Sequence, residues 1–132
     1  KVGCGNGTSD TTILIDDESM NTAPLSNFAW FCGNAGDEDY NSTSKPVGLK
    51  QPNGFGLYDT VGNVSEWVTD DTYQDYPNGQ VNPVSWGTEP NKLTMNGDWV
   101  SAAGSLTLNA YAWATADSEM VGNGFRLRRL VP

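Results

Sequence analysis

Pro52-Asn53-Gly54-Phe55-Gly56-Leu57-Tyr58-Asp59-Thr60-Val61-Gly62-Asn63-Val64-Ser65-Glu66-Trp67 is the stretch on which the reading of this chain turns. Its first half is punctuation: proline fixes φ and glycine supplies conformations other residues avoid, so Pro52-Asn53-Gly54 marks a turn. Its second half leads into an extended segment, residues 64–68, predicted as a strand with Val64, Glu66 and Val68 on one side. Between the two lies Asp59-x-x-Gly62-x-Val64-x-Glu66. Two carboxylates with intervening backbone carbonyls, brought round by Gly62, are the hard oxygen donors calcium takes. The same carboxylates have a plainer use, capping turns or pairing with Arg126.

The rest of the chain bounds what such a segment can serve. The 132 residues make one domain of ordinary size. Asp and Glu number 16 against 7 Lys and Arg, a formal charge of −9, and there is no histidine. A Ser-His-Asp triad, a His-ligated zinc site and a histidine general base are thereby excluded. The three arginines, Arg126, Arg128 and Arg129, sit together at the end, too few for a basic groove, so nucleic acid is not an expected partner. No apolar run approaches the roughly 20 residues of a membrane helix, so membrane insertion is not expected either. Aromatic content of 11% with only 17% charge argues for an ordered chain rather than a disordered one. With 15 glycines, that chain is expected to be loop-rich. Cys4 and Cys32 either close one disulfide around about 28 residues, worth roughly 3 kcal/mol, or are two unrelated buried thiols; both readings stay open.

Along the chain, residues 12–15 resemble a short strand, and the aromatic segment 27–31 is expected to pack inside. Residues 70–92 read as one long loop with three prolines. Trp30, Trp67, Trp86 and Trp99 are most simply core, and the acidic runs 16–18 and 37–39 are solvated loops. Arg126, Arg128 and Arg129 are placed on a final strand. The most regular pattern is at residues 105–116, which alternate strictly. Leu106, Leu108, Ala110, Ala112, Ala114 and Ala116 fall on one side; Ser105, Thr107, Asn109, Tyr111, Trp113 and Thr115 fall on the other. Period two predicts a strand with alanines inward, where room is short, and rings and hydroxyls outward. Tyr, Trp, Ser, Thr and Asn are residue types that serve recognition. The plainer reading is a strand buried on both sides, with Tyr111 and Trp113 under a loop.

The opening stretch resembles the signature of the formylglycine-generating enzyme (sulfatase-modifying factor) family, which reads roughly PNxxGLYDMxGNVWEW. Further matches keep the family's order: Ala29-Trp30-Phe31 and Asn34, Pro46-Val47-Gly48, Tyr76-Pro77 with Gly79, Gly97-Asp98-Trp99 in place of GGSW, and Gly124-Phe125-Arg126-Leu127 for the terminal GFRL. The resemblance implies an α+β, C-type-lectin-like (formylglycine-generating-enzyme-type) fold, loop-rich with little regular secondary structure. The family's usual beginning, with its early helices and an AEWEYAAR-like segment, is missing. Residues 1–132 are therefore expected to be a single such domain, the C-terminal part of a longer family domain. The family also binds calcium at positions matching Asp59, Gly62, Val64 and Glu66, with a structural role for the ion.

The departures bear on activity. Oxidase members carry a pair of copper-binding cysteines between the GGSW-like and GFR-like motifs, whereas residues 100–123 here contain no cysteine. Thiolate is the soft ligand copper(I) needs, so no copper and no such catalysis are expected. Ser65 also replaces the motif's first tryptophan, and Met95 the arginine before GGSW. A second branch fits better: the chain resembles the variable proteins of diversity-generating retroelements, which place diversified ligand-binding residues in this C-terminal stretch. Adenine-bearing template codons there give an alphabet rich in Asn, Ser, Thr, Tyr, Asp, Ala and Val. The expected ligand-binding residues are Val100, Ser101, Ser105, Thr107, Asn109, Tyr111, Trp113, Thr115, Asp117, Ser118, Glu119 and Met120, with Val121 adjoining. The expected partner is a protein or other macromolecule at a surface, in a cell-surface, virion-associated or secreted setting. Two rivals stand beside this reading, a copper-dependent oxidase of the wider family and an accessory subunit with a fixed partner.

Overall fold

The computed structural model describes residues 12–16, 21–36, 43–70, 91–107, 110–115 and 117–127. Strand β1 (Thr12–Asp16) pairs antiparallel with β2 (Asn21–Pro24), with an irregularity between Leu14 and Asp16. Proline has no N–H to continue a ladder, and at Pro24 the chain turns into a 3-10 turn, Leu25–Asn27. A second sheet holds four strands in the order β5-β4-β3-β6. They are β3 (Ser65–Trp67), β4 (Asn91–Met95), β5 (Tyr111–Thr115) and β6 (Asn123–Gly124). β4 runs antiparallel to both β3 and β5, and β6 joins β3 in parallel. Helix among the described residues is limited to two three-residue 3-10 turns, the second being Ala103–Ser105.

The core is small and built from both ends of the described chain. Leu25, Ala29 and Phe31 pack with Ala103 and Leu106, and Val61 lies against them. Residues 27–31 therefore do reach inside, as expected, through Ala29 and Phe31, while Phe28 and Trp30 are half-buried. Trp99 is buried; Trp67 is only half-buried, and Trp86 lies outside the described residues.

In so irregular a chain, single residues take on the joining that helices provide elsewhere. Asn63 is buried, with φ of 63°, a left-handed conformation that asparagine tolerates better than most residues. Its amide Oδ1 accepts from the Lys45 N–H at 2.8 Å, and its Nδ2 donates to the Lys45 carbonyl at 3.0 Å. Its own N–H donates to the Trp30 carbonyl at 2.8 Å, and its carbonyl accepts from the Trp99 N–H at 3.0 Å. One asparagine thus lashes three distant segments together. Gly62 beside it has φ of 72°, and a Cβ there would run into the Trp30 carbonyl oxygen. Only glycine fits that approach.

Three expectations change here. Of the strand expected over residues 105–116, the described part is Tyr111–Thr115: Ala103, on a 3-10 turn, and Leu106 after it are drawn into the core, the Ala110 N–H closes a turn onto the Thr107 carbonyl at 2.9 Å, and Leu108, Asn109 and Ala116 lie outside the described residues. Residues 70–92 are not one loop to their end: Asn91 and Lys92 open β4, the strand that joins β3 to β5. After β6, Phe125, Arg126 and Leu127 run on outside any strand, and Arg128 and Arg129 lie outside the described residues.

Candidate functional site

β5 lies at one edge of the four-stranded sheet, and its alternation is what places side chains. Tyr111, Trp113 and Thr115 point to one side and are exposed. The Tyr111 and Trp113 side chains keep 46% and 47% of their surface. Their rings meet edge to face, centroids 6.1 Å apart and planes at 88°, the arrangement favoured by aromatic quadrupoles. Ala114 on the opposite side is buried, paired with Lys92 of β4. Ala112 is exposed rather than inward-buried.

The other expected ligand-binding residues fall unevenly. Ser105 and Thr107 are exposed, though on the 3-10 turn and just after it rather than on the strand. Asn109 lies outside the described residues. Val100 is exposed, but the Ser101 hydroxyl is engaged, donating to Asp98 Oδ1 at 2.9 Å and accepting from the Asp98 N–H at 3.1 Å. Asp117, Glu119 and Met120 are exposed with Val121, whereas the Ser118 hydroxyl donates back to the Thr115 carbonyl at 2.8 Å. The loop is held at its far end too: Gly122 lies so close to Asp98 that a Cβ would meet the carboxylate, and its carbonyl accepts from the Ser65 N–H at 2.8 Å.

Between this loop and the sheet lies an open groove of about 470 Å³, lined by Trp67, Ser118, Glu119, Met120, Val121 and Asn123. It offers an aromatic wall, a carboxylate and a thioether, and the buried Asn123 Nδ2 beside it has no hydrogen-bond partner. Trp67 read as core and Asn123 carried no expectation. They come together because β6 pairs in parallel with β3, a long-range contact no local pattern announces.

The residues expected to hold calcium have separate fates. Asp59 Oδ2 accepts from the Gly48 N–H at 2.7 Å, while its Oδ1 is buried without a hydrogen-bond partner. A buried carboxylate oxygen left unpaired is costly, and that oxygen fits a cation. Glu66 is already paired: Arg126 Nε donates to both of its oxygens at 3.1 and 3.0 Å, and Nη2 to Oε1 at 2.7 Å. The same Nη2 donates to the carbonyls of Tyr58 and Asp59 at 2.9 and 3.1 Å. Hydrogen bonding to Glu66, and behind it the charges of Glu66 and Asp59, raise the Arg126 pKa above its ordinary value, against some desolvation. Gly62 and Val64 belong to the segment between, with the Gly62 N–H given to the Asn96 carbonyl. Among the described residues no three acidic or thiol groups converge as a metal cluster. Cys32 is held in a disulfide, and the sequence has one other cysteine, Cys4, outside the described residues.

Known proteins share this architecture. The structure resembles that of variable protein 1 of Treponema denticola, with a TM-score of 0.62 and 27% identity over 76% of this chain and 35% of that one. It also resembles PvdO from Pseudomonas aeruginosa, with a TM-score of 0.63 and 24% identity over 86% of this chain and 42% of that one. The fold is thus the α+β, C-type-lectin-like one. In sequence, the chain is 31% identical over 99 residues to the formylglycine-generating enzyme of Thermomonospora curvata, covering 69% of this chain and 32% of that enzyme. The chain spans about a third of the length of the first curated relatives it matches. The model of the sulfatase-modifying factor enzyme 1-like domain matches residues 2–131, and the chain belongs to that family.

Proposed function

We propose that the domain is a recognition module that binds a protein or other macromolecule through a surface open to diversification, as the variable proteins of diversity-generating retroelements do. The observation that carries this is the half-exposed Tyr111–Trp113 pair, set edge to face on a strand anchored by Ala114. Rings held this way bring contact area without losing further rotamer freedom, which is how aromatic anchors come to dominate binding energy. The loop bearing Asp117, Glu119 and Met120 extends the surface, and its groove receives a protruding group of the partner. The likeness to a variable protein supports the reading.

On this reading the chain does not catalyse. Residues 100–123 hold no cysteine, and thiolate is what copper(I) chemistry requires of this family. Calcium has a structural part, held by Asp59 with Gly62, Val64 and Glu66 once Arg126 yields the Glu66 carboxylate; bound there, it would fix the loop. A thermal melt with and without chelator checks this: the midpoint falls on chelation in the parent and does not move in Asp59→Asn. Equal melts in the parent with and without calcium remove the ion from the account.

Sibling copies of the domain within one genome test the function. Substitutions should gather at Tyr111, Trp113, Thr115, Asp117, Glu119 and Met120, at positions whose template codons bear adenine, while Asn63, Trp99 and Ala114 stay fixed. An invariant face points to an accessory subunit with a fixed partner. Stoichiometric copper with turnover of a thiol substrate points to an oxidase.

A further inference from the structure

The groove beside residues 118–121 has walls whose chemistry selects an occupant. Strand register sets two of them. Trp67 pairs with Thr94 across β3 and β4, and Asn123 pairs with Ser65 across β6 and β3. Paired residues share a face and neighbours along a strand alternate, so Trp67 and Asn123 stand together on the face away from Glu66. The groove is therefore separate from the carboxylates expected to hold calcium. Its third wall is the loop itself, fixed at its far end by the Asn123 N–H, which donates to the Met120 carbonyl at 3.1 Å.

Three groups there lack counterparts. Asn123 Nδ2 is buried and has no acceptor, and a buried donor left unpaired is costly. Glu119 is exposed and makes no ion pair or hydrogen bond among the described residues. Trp67, half-buried, turns an aromatic wall to the groove, and none of the lining residues is basic. A carboxylate beside an indole face is a setting for a cation, drawn both to the charge and to the ring. The net charge of −9 adds long-range attraction of the same sign.

We infer that the groove takes an arginine side chain of a partner protein. The inference rests on the recognition reading above and narrows its partner to a protein. The guanidinium stacks on Trp67 and donates to the Glu119 carboxylate, which its planar fork matches. Its aliphatic stem lies along Met120 and Val121, as long charged side chains do on apolar surface. An arginine side chain carries no acceptor, so the stranded Asn123 amide calls for something more than a cation. The backbone carbonyl of the arginine residue supplies it, which is why a peptide fits and a free cation does not. Lysine is the poorer occupant, since its ammonium is a compact, strongly hydrated point charge without a plane to stack. A neutral sugar would cover the ring and accept from the amide, yet leave the Glu119 charge uncompensated.

Titrating the isotope-labelled protein with four small probes, followed by NMR at the Trp67 indole N–H and the Asn123 side-chain amide, tests the inference. The probes are N-acetyl-arginine amide, its neutral isostere N-acetyl-citrulline amide, butylguanidinium and methyl glucoside. The arginine probe is expected to shift both reporters saturably, and the citrulline probe to bind roughly tenfold more weakly, having lost the charge. Butylguanidinium, which has no carbonyl, should move Trp67 and leave the Asn123 amide where it is. Glu119→Gln, a change at an exposed position, should bring the arginine probe down to the level of citrulline. Equal binding of arginine and citrulline overturns the inference, and so does an Asn123 amide that the arginine probe does not move. Saturation by methyl glucoside without saturation by arginine overturns it too, and assigns the groove to a sugar. The two readings fail separately. A face that is invariant among sibling copies removes diversified recognition whether or not arginine binds, and a groove indifferent to arginine leaves the Tyr111–Trp113 surface untouched.

Discussion

At the scale of the residue, Asn63 and Arg126 each perform a task that a helix or a wider sheet performs in more regular folds. Replacing Asn63 by Ala strands the N–H and carbonyl of Lys45 and puts a Cβ-bearing residue without a polar side chain at φ of 63°. Each lost bond that leaves a partly buried partner unsatisfied costs about 1–3 kcal/mol, so Asn63→Ala is expected to destabilise by ~2–4 kcal/mol in urea unfolding. Arg126 sits on both Glu66 oxygens and two carbonyls, an arrangement a planar fork can make and an ammonium cannot. Its side chain is 37% exposed, so solvent screening trims the effect. Arg126→Ala is expected to cost about 1–2 kcal/mol, and Arg126→Lys to recover little of it. The sign with pH follows from the raised pKa: the stabilisation is whole below the unfolded arginine value and fades only as pH climbs past the folded one. The Arg126→Ala penalty should therefore be equal in mildly acidic and mildly alkaline buffer; a penalty that shrinks on going alkaline contradicts the assignment.

At the scale of the element, β5 shows what local pattern can and cannot reveal. Alternation in the sequence correctly separated Tyr111, Trp113 and Thr115 from Ala114, because side chains on a strand must point to alternate sides. It overran at the amino-terminal end, where Leu106 obeys the core and not the strand. β4 went unread for the same kind of reason. Asn91-Lys92-Leu93-Thr94-Met95 is short and weakly apolar, and what makes it the middle of a sheet is pairing with residues far away in the chain. The groove residues Trp67 and Asn123 likewise meet only through tertiary pairing. The motif around Asp59 and Glu66 was legible as an oxygen-rich turn, and the plainer use of its carboxylates, pairing with Arg126, is the one Glu66 makes across 60 residues. β5 itself supplies a two-sided prediction. Ala114→Leu overpacks a filled position and is expected to cost about 1–3 kcal/mol, while Trp113→Ala, on the open side, changes stability by less than about 1 kcal/mol. Equilibrium unfolding of the two variants checks it, and a larger loss for Trp113→Ala would mean the ring is part of the core.

At the scale of the whole molecule, a small core must be supplemented. Among the described residues five form its buried cluster, and covalent closure at Cys32 adds to them. The Cys32 N–H also donates to the Ser101 carbonyl at 3.0 Å, which ties the crosslinked segment to the turn after Trp99. Reduction is expected to lower stability by roughly 3 kcal/mol, as for a closed loop of about 28 residues; an unchanged melt in reductant removes the crosslink from the account. The course of the chain after β5 has a consequence of a different kind. It leaves one border of the four-stranded sheet and lands on the opposite border, three inter-strand spacings of about 4.8 Å away. Bends at both ends are already cinched, Ser118 N–H onto the Thr115 carbonyl and Asn123 N–H onto that of Met120. A bridge moored on both banks can be repainted freely yet not shortened. Substitutions in this span keep its length, whereas a deletion within it takes β6 out of register with β3.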